Sequence, residues 1–591
     1  MKTAEKLSAL RANLKNLEVE GFIVPRTDEY QNEFVPECFE RLAWLTGFTG
    51  SAGFAVILPE IAGVLSDGRY TIQLKNQVDQ TLYEVGDSIK VTLSDYLAHE
   101  AKSGQVIGYD AKLHSPKQIQ MLEAKLKEKS ITLKALEPNP IDEVWADRPP
   151  EPLAKVEIFP EKYAGRSSAE KRMAIAQFIK DQGAKACVIT LPDSIAWLLN
   201  IRGSDVSHNP VALSYALLHD DGRAEWFIAT EKVSGDVLRH AGNTVEVFEP
   251  TKIEERLAML AGDDRPVMID PQRSSKYFFD VLKKNKIIIR EEKDPCILPK
   301  AVKTTAEQEA MIAAHVRDGA AVTKFLYWLS NNVQGKTEVE IADQLETFRK
   351  ADPMHRDSSF DTICGWASNG AIVHYRAEDK SAATVTGNGL LLIDSGAQYA
   401  DGTTDITRTI AIGTPTDEMK DRYTRVLKGH IALASTRFPQ GTTGAQLDSL
   451  ARQALWQAGL DYAHGTGHGV GCYLSVHEEA AGISPRGTEA VLPGMIISNE
   501  PGYYKEGEYG IRIENLILCN KTGDKTEDGR DMLYFETLTL APIDLSVVDL
   551  RLLTDSERWW INDYHFRVRD VLSPTLEPAE KSWLDQVTKF I

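Results

Sequence analysis

The amino-acid sequence predicts a multidomain protein of mixed α/β and α+β class, with two similar α/β domains followed by one larger α+β domain. Three observations predict it. An apolar strand, a Trp-Leu motif and a second apolar strand recur in order within the first half. Proline-containing stretches separate the copies from each other and from the second half. That second half opens on capped helices and then turns β-rich. A chain of 591 residues accommodates such an arrangement at about 150 residues per domain.

The repeat rests on Trp44-Leu-Thr-Gly-Phe-Thr-Gly-Ser51 and Trp197-Leu-Leu-Asn-Ile-Arg-Gly-Ser204. Each follows a strand-like run, Gly21–Pro25 and Ala186–Thr190, and precedes another, Phe54–Leu58 and Ala212–Leu218. Each copy also holds an Asp-Gly-Arg, at 67–69 and 221–223. Two copies about 150 residues apart describe paired domains and not a solenoid. Arg148-Pro-Pro-Glu-Pro152 reads as the linker between them, and Asp294-Pro-Cys-Ile-Leu-Pro299 as the next boundary. The expected domains are therefore 1–150, 151–297 and 298–591.

In the last domain Thr304-x-x-Glu307 and Thr337-x-x-Glu340 carry the capping-box signature, the first opening a helix to about Leu329. A further helix is expected over Gln446–Ala458. Elsewhere apolar runs bounded by glycine predict strands.

Composition narrows the function. Apolar residues make up 42%, charged residues 26%, and the net charge is −19. That acidity excludes a nucleic-acid surface, which needs clustered Lys and Arg. No stretch approaches the roughly 18 apolar residues of a membrane helix, and the N-terminus lacks the apolar core of a signal peptide. A cytoplasmic protein is the expectation. Six scattered cysteines form no CxxC and are expected as buried, reduced thiols.

The chemistry concentrates between Asp394 and Glu514. Leu390–Asp394, an Asp-Gly turn and a Thr-rich strand predict a hairpin. The midpoint between Asp394 and Asp405 falls between Tyr399 and Ala400. The two carboxylates would then sit directly opposite, about 5 Å apart at Cβ, a repulsive arrangement without a cation. Asp401 reads as a solvated turn residue. His464-Gly-Thr-Gly-His468 sets two histidines among glycines, which predicts a loop or irregular strand. Met495–Glu500 reads as an apolar strand ending in a carboxylate, and Gly510–Leu518 as a strand with Glu514 in its middle. Carboxylates are costly in such strands unless paired or metal-bound. Four carboxylates and one imidazole form a hard donor set suited to Mn²⁺ or Co²⁺, and four negative charges balance two divalent ions.

These segments, DSGAQYADGTTDITRT, HGTGHGVG, NEPGYY and GIRIEN, resemble the metal-binding motifs of the pita-bread metallopeptidases. LAWLTGFTGSAGF and DSIAWLLNIRGSDVSHNP resemble the two creatinase-type N-terminal domains of the long, three-domain Xaa-Pro aminopeptidases. The resemblance spans essentially the whole chain. It implies a pita-bread α+β catalytic domain after two creatinase-type α/β domains, and hydrolysis of the N-terminal Xaa–Pro bond by a water bridging two metals. By the same resemblance Asp394 binds one metal, His468 and Glu500 the other, and Asp405 and Glu514 bridge both. Glu500 also moves the proton. His374, His464 and His477 contact the substrate. Arg512, two residues before Glu514 on the same strand face, is placed to orient the carboxylates. The ions are expected to be Mn²⁺, with Co²⁺ or Zn²⁺ as substitutes. The partners are peptides with proline in second place, and the assembly is a homodimer. A prolidase would share the ligands but has one N-terminal domain, where the repeat here implies two.

Overall fold

The structure, a computed structural model, describes residues 1–378 and 380–591. The chain divides into two compact units: Met1–Glu161 with Arg166–Ile297, and Lys162–Gly165 with Leu298–Ile591. No helix among the described residues is long and apolar enough to cross a membrane. All six cysteines are buried and none is in a disulfide.

The first unit contains two six-stranded sheets of one topology. Counted in chain order within each, the strands lie fourth, third, second, first, fifth, sixth. The first strands are Gly21–Pro25 and Ala186–Ile189; the second are Phe54–Ile57 and Tyr215–His219. In both sheets the first strand runs antiparallel to the second and parallel to the fifth. The duplication read from sequence is therefore present in the connectivity. Each Trp-Leu motif closes a short helix, Arg41–Thr46 and Pro192–Leu199. Both helices end on a left-handed residue, Gly47 at φ 83° and Asn200 at φ 50°. Gly and Asn tolerate that conformation best, which is why the motif permits either.

The Asp-Gly-Arg correspondence does not hold. Asp67–Arg69 follows the third strand, Ala62–Ser66, whereas Asp221–Arg223 forms the turn between the second and third strands of its sheet. Asp-Gly suits any tight turn, so the triplet recurred without marking an equivalent place.

In the second unit both capping boxes form, opening helices Thr305–Asn332 and Glu338–Lys350. The helix expected at 446–458 spans Gly444–Trp456. Three helices of ten or more residues escaped the sequence reading: Asp417–Ala434, Asp555–Leu572 and Pro578–Val587. The second of these carries the same signature, Thr554-x-x-Glu557. The long strand expected over 510–518 is two strands, Tyr509–Arg512 and Asn515–Lys525, with Glu514 in the break.

Two sheets frame the centre of this unit. One has three strands, with Gly389–Ser395 between Ile363–Trp366 and Ile406–Ile412. The other has six and includes Gly467–Gly469, Ile496–Asn499 and Asn515–Lys525. Helices Asp417–Ala434 and Gly444–Trp456 pack closely at Gly429, where a Cβ would lie 2.0 Å from the Ala451 carbonyl oxygen. Gly429→Ala is expected to destabilise this unit by about 3 kcal/mol, because backbone oxygen cannot yield as a side chain can. Thermal unfolding checks it; an unchanged midpoint would show that the helices separate freely.

Candidate metal centre

The hairpin turns one position later than its midpoint suggested. Asp394 pairs with Thr407, Gln398 with Thr403 and Tyr399 with Gly402, so the turn falls at Ala400–Asp401. Asp405 is thus not opposite Asp394. It lies diagonally across, two residues before Thr407 and on the same face. The charge proximity survives this correction, since the Asp405 charge still raises the proton affinity of Asp394. Asp401 is not solvated: it is 4% exposed and ion-paired with Arg317 of helix Thr305–Asn332.

Three elements of the six-stranded sheet deliver the rest. His468 lies on Gly467–Gly469, and a Cβ on Gly467 would stand 1.9 Å from the Ser498 carbonyl oxygen, so glycine is needed for the strands to close. Glu500 follows Ile496–Asn499, and Glu514 precedes Asn515. Asn499 pairs with Asn515, which brings both glutamates to one end of the same ladder. Glu514 N–H donates to the Thr407 carbonyl at 3.1 Å, tying this end to the hairpin.

The donor atoms converge. Carboxylate oxygens of Asp405 and Glu514 and a nitrogen of His468 all lie within 4.8 Å of one another. His468 Nδ1 donates to the Gly469 carbonyl at 2.9 Å, which turns Nε2 inward. That nitrogen stands 3.5 Å from Asp405 Oδ2 and 3.4 Å from Glu500 Oε1. Ser498 Oγ donates to Glu500 Oε1 at 3.0 Å and accepts from the His468 N–H at 2.9 Å. Thr407 Oγ1 donates to Glu514 Oε2 at 2.7 Å.

The electrostatics of this pocket call for cations. Burial, then the charges of Asp405, Glu500 and Asp394, holds the Glu514 carboxyl well above its usual range. Burial also raises Glu500, to about 7, with Asp405 adding to the shift and His468 opposing it. For His468 burial acts to lower the pKa, but hydrogen bonding to Asp405 and the charges of Glu500 and Asp405 prevail and lift it to about 9. Asp394 Oδ1 and Asp405 Oδ1 are buried without a hydrogen-bond partner. Unsatisfied buried carboxylate oxygens are costly, and metal coordination satisfies them. The residues present therefore fit a divalent metal centre.

Around the donors runs a network that sequence reading foresaw in part. Arg512 Nη2 donates to Asp394 Oδ2 at 2.5 Å, Nε to Thr407 Oγ1 at 3.1 Å and Nη1 to Tyr504 OH at 2.6 Å. Tyr504 OH lies 2.8 Å from His464 Nε2, while His464 Nδ1 donates to the Gly465 carbonyl at 2.7 Å. Arg452 Nη2 holds the His464 carbonyl at 2.7 Å. His477 is exposed, its ring edge-on to that of His468 at 4.3 Å between centroids. His374 is half-buried in the segment whose Val373 carbonyl accepts from Arg512 Nη2 at 3.5 Å.

Sequence reading missed the supports behind this cluster. His430 is fully buried; its Nδ1 donates to the Asn499 carbonyl at 3.1 Å and its Nε2 accepts from Asn515 Nδ2 at 3.1 Å. Burial, with Arg408 nearby, drops its pKa to about 3 and keeps it neutral. Arg408 donates to the Glu514 carbonyl at 2.7 Å, the Ala541 carbonyl at 2.9 Å and Tyr564 OH at 2.9 Å. Through Arg408 the segment beyond residue 540, the part of the chain with the least motif content, braces the strand end bearing Glu514.

Comparison with known proteins bears on this arrangement. Residues 309–521 match metallopeptidase family M24, 531–591 its C-terminal region, and 6–144 and 147–307 two creatinase/prolidase N-terminal domains. A probable Xaa-Pro aminopeptidase P of Paracoccidioides brasiliensis is 38% identical over 100% of this chain and 99% of its own.

The chain belongs to the Xaa-Pro aminopeptidases of metallopeptidase family M24.

This family M24 hydrolase also resembles a probable Xaa-Pro aminopeptidase P of Neosartorya fischeri, 38% identical over 99% of this chain and 92% of that one. Among solved structures, the X-prolyl aminopeptidase of Caenorhabditis elegans, described as a cytosolic enzyme with a di-nuclear active site, superposes with a TM-score of 0.95. It is 32% identical, and all of each chain is covered. The prolidase of Pyrococcus horikoshii, 25% identical with a TM-score of 0.51, matches over 64% of this chain and 99% of its own. The three-domain Xaa-Pro aminopeptidase architecture, not the shorter prolidase one, thus accounts for the full length.

Proposed function

We propose that this chain removes the N-terminal residue from peptides with proline in second place, using two divalent ions held by Asp394, Asp405, His468, Glu500 and Glu514. The observation that carries the reading is the convergence of Asp405, His468 and Glu514 donor atoms within 4.8 Å, with Glu500 Oε1 3.4 Å from His468 Nε2 and buried Asp394 and Asp405 each keeping one carboxylate oxygen without a hydrogen-bond partner. Full-length similarity to named Xaa-Pro aminopeptidases supports it. On family resemblance Asp405 and Glu514 would be shared by both ions, Asp394 would hold one, and His468 with Glu500 would hold the other. The division of labour runs along 1–150, 151–297 and 298–591, the last carrying the chemistry. We extend the reading, on family resemblance, to a cytoplasmic homodimer loaded with Mn²⁺, with Co²⁺ or Zn²⁺ as alternatives.

Bound ions would supply a water of lowered pKa, bridging them as the nucleophile, and polarisation of the scissile carbonyl. Glu500 takes the proton on the oxygen not engaged by Ser498 and passes it to the leaving proline nitrogen. His477, or His464 once its Nε2 exchanges Tyr504 for the substrate, stabilises the negative charge on the carbonyl oxygen, and His374 contacts the peptide. Arg512 opposes the burial that raises the Asp394 carboxyl and fixes its orientation. Proline sets the specificity: its nitrogen has no hydrogen and its ring fixes φ near −65°, so a pocket can select what strand-binding proteases reject.

The test is metal-depleted protein given Mn²⁺, Co²⁺ or Zn²⁺ separately, with Ala-Pro and a longer Ala-Pro-x-x peptide as substrates. Release of free alanine from the longer peptide in the presence of metal is expected. Cleavage of the dipeptide alone would replace the reading with a prolidase, and no cleavage with any ion would end it.

A further inference from the structure

Glu338 opens helix Glu338–Lys350, carries no motif, and is 0% exposed. Its carboxylate nevertheless accepts five hydrogen bonds from the segments that flank His374. Oε1 accepts from the Trp366 N–H at 2.6 Å and from Asn369 Nδ2 at 3.0 Å. Oε2 accepts from Asn369 Nδ2 at 3.1 Å, Tyr375 OH at 2.8 Å and the Ala383 N–H at 2.7 Å. The Glu338 N–H returns a bond to the Ala383 carbonyl at 3.0 Å. The contacts fall on both sides of His374, two upstream and two downstream.

The opposite side of the same segment is also closed. A Cβ on Gly510 would stand 1.7 Å from the Gly370 carbonyl oxygen, and one on Gly365 2.7 Å from Gly370 Cα. Gly510 belongs to Tyr509–Arg512, the strand that ends in the guanidinium bound to Asp394. Between the two residues gripped first by Glu338 lies Ala367 at φ 49°. A left-handed non-glycine backbone is strained and persists only where its surroundings hold it.

We propose that Glu338 is a positioning residue that sets the place of His374 relative to the metal centre. Every partner of its carboxylate is a donor, so the pocket demands an acceptor at both oxygens. A carboxylate meets that demand, and the partial positive charge of the helix N-terminus favours it. Glutamine has the same shape but turns an NH₂ toward one set of donors. Loss of the acceptor releases the hold on Trp366 and Asn369 or on Tyr375 and Ala383. The Ala367 backbone then relaxes and His374 shifts, while the metal donors, carried on other strands, stay in place. The proposal rests on the peptide-contacting role of His374 in the proposed function.

The experiment is a double-mutant cycle of Glu338→Gln and His374→Ala in full-length, metal-loaded protein, with metal content, kcat and KM measured on an Ala-Pro-x-x peptide. Tyr375→Phe, which removes one donor and leaves the carboxylate, serves as the milder variant. Glu338→Gln is expected to lower kcat/KM at least tenfold at unchanged metal content, and Tyr375→Phe severalfold. In the His374→Ala background Glu338→Gln should change kcat/KM less than twofold, since its effect passes through that side chain. If His374→Ala is impaired and Glu338→Gln multiplies the loss in full, the proposal is wrong while the assigned function stands. If His374→Ala is fully active, both the role of His374 and the proposal fall. If Glu338→Gln does not fold, Tyr375→Phe decides, and its full activity overturns the proposal.

Discussion

Asp405→Ala and Glu514→Ala each yield a protein that folds, loses its metal and turns over Xaa-Pro peptides at least about a thousandfold more slowly, the several kcal/mol that metal catalysis contributes. The consequences are most specific at Asp405. Its Oδ2 stands 3.5 Å from His468 Nε2, its Oδ1 has no hydrogen-bond partner, and its charge is the first among those raising Glu514. Alanine there removes a donor when metal is present and a repelling charge when it is absent. The ion-free variant should therefore be at least as thermostable as ion-free wild type, which separates loss of the site from misfolding. Asp401→Asn should behave in the opposite way. It leaves the Arg317 guanidinium only Asp352, at 3.9 Å, lowering stability, yet leaves metal content intact. Metal analysis, thermal unfolding and peptide assay on the three variants check the set. Near-normal turnover in Asp405→Ala or Glu514→Ala would refute the metal assignment.

How much of this was legible in the sequence depends on whether the signal was local. The capping boxes at Thr304 and Thr337 are local and formed as read. The paired strands and Trp-Leu motifs also recur in matching places, because strand and C-cap preferences act within a few residues. Pairing register is less local. Placing Asp394 opposite Asp405 assumed a symmetric turn, but the ladder turns at Ala400–Asp401 and pairs Asp394 with Thr407. Asp401 looked solvated because its partner, Arg317, lies 84 positions away in the sequence. The break at Ile513–Glu514 hid inside an unbroken apolar alternation; what ends the strand is the turn of Glu514 toward Thr407.

Least legible were the supporting side chains. His430 sits on a helix whose buried face reads as ordinary core, and nothing near it in sequence signals Asn499 or Asn515. Tyr504 stands within the NEPGYY motif, but its role appears only once Arg512 and His464 flank it. Glu338 reads as one of two acids in the first turn of a helix; its five acceptor contacts come from residues 28 to 45 positions downstream. Donor chemistry is thus visible as residue type, whereas what orients it depends on the tertiary fold.

Without metal, the protein is expected to lose stability as pH rises, and with metal to keep it. Glu500, raised from 4.5 to about 7, and His468, raised from 6.5 to about 9, both hold their protons more tightly folded than unfolded. Such groups make the folded state proton-rich, and stability then falls with pH. The Glu500 contribution is whole below pH 4.5 and lost as pH passes about 7; that of His468 is whole below 6.5 and lost by about 9. Divalent ions reverse the sign, because they bind the deprotonated donors and gain affinity as those protons leave. In excess chelator the unfolding midpoint should drop steadily between pH 5 and 9. At about a thousandfold excess of Mn²⁺ over Kd it should stay nearly level, opening a gap of about 4 kcal/mol, on the order of 10 °C. In Glu500→Gln the chelated protein should show a shallower slope throughout, since Glu500 no longer titrates and its charge no longer helps His468 hold its proton. Parallel midpoint curves with chelator and with Mn²⁺ would mean that these carboxylates do not share a metal, since coupling of proton loss to ion binding follows from their being ligands.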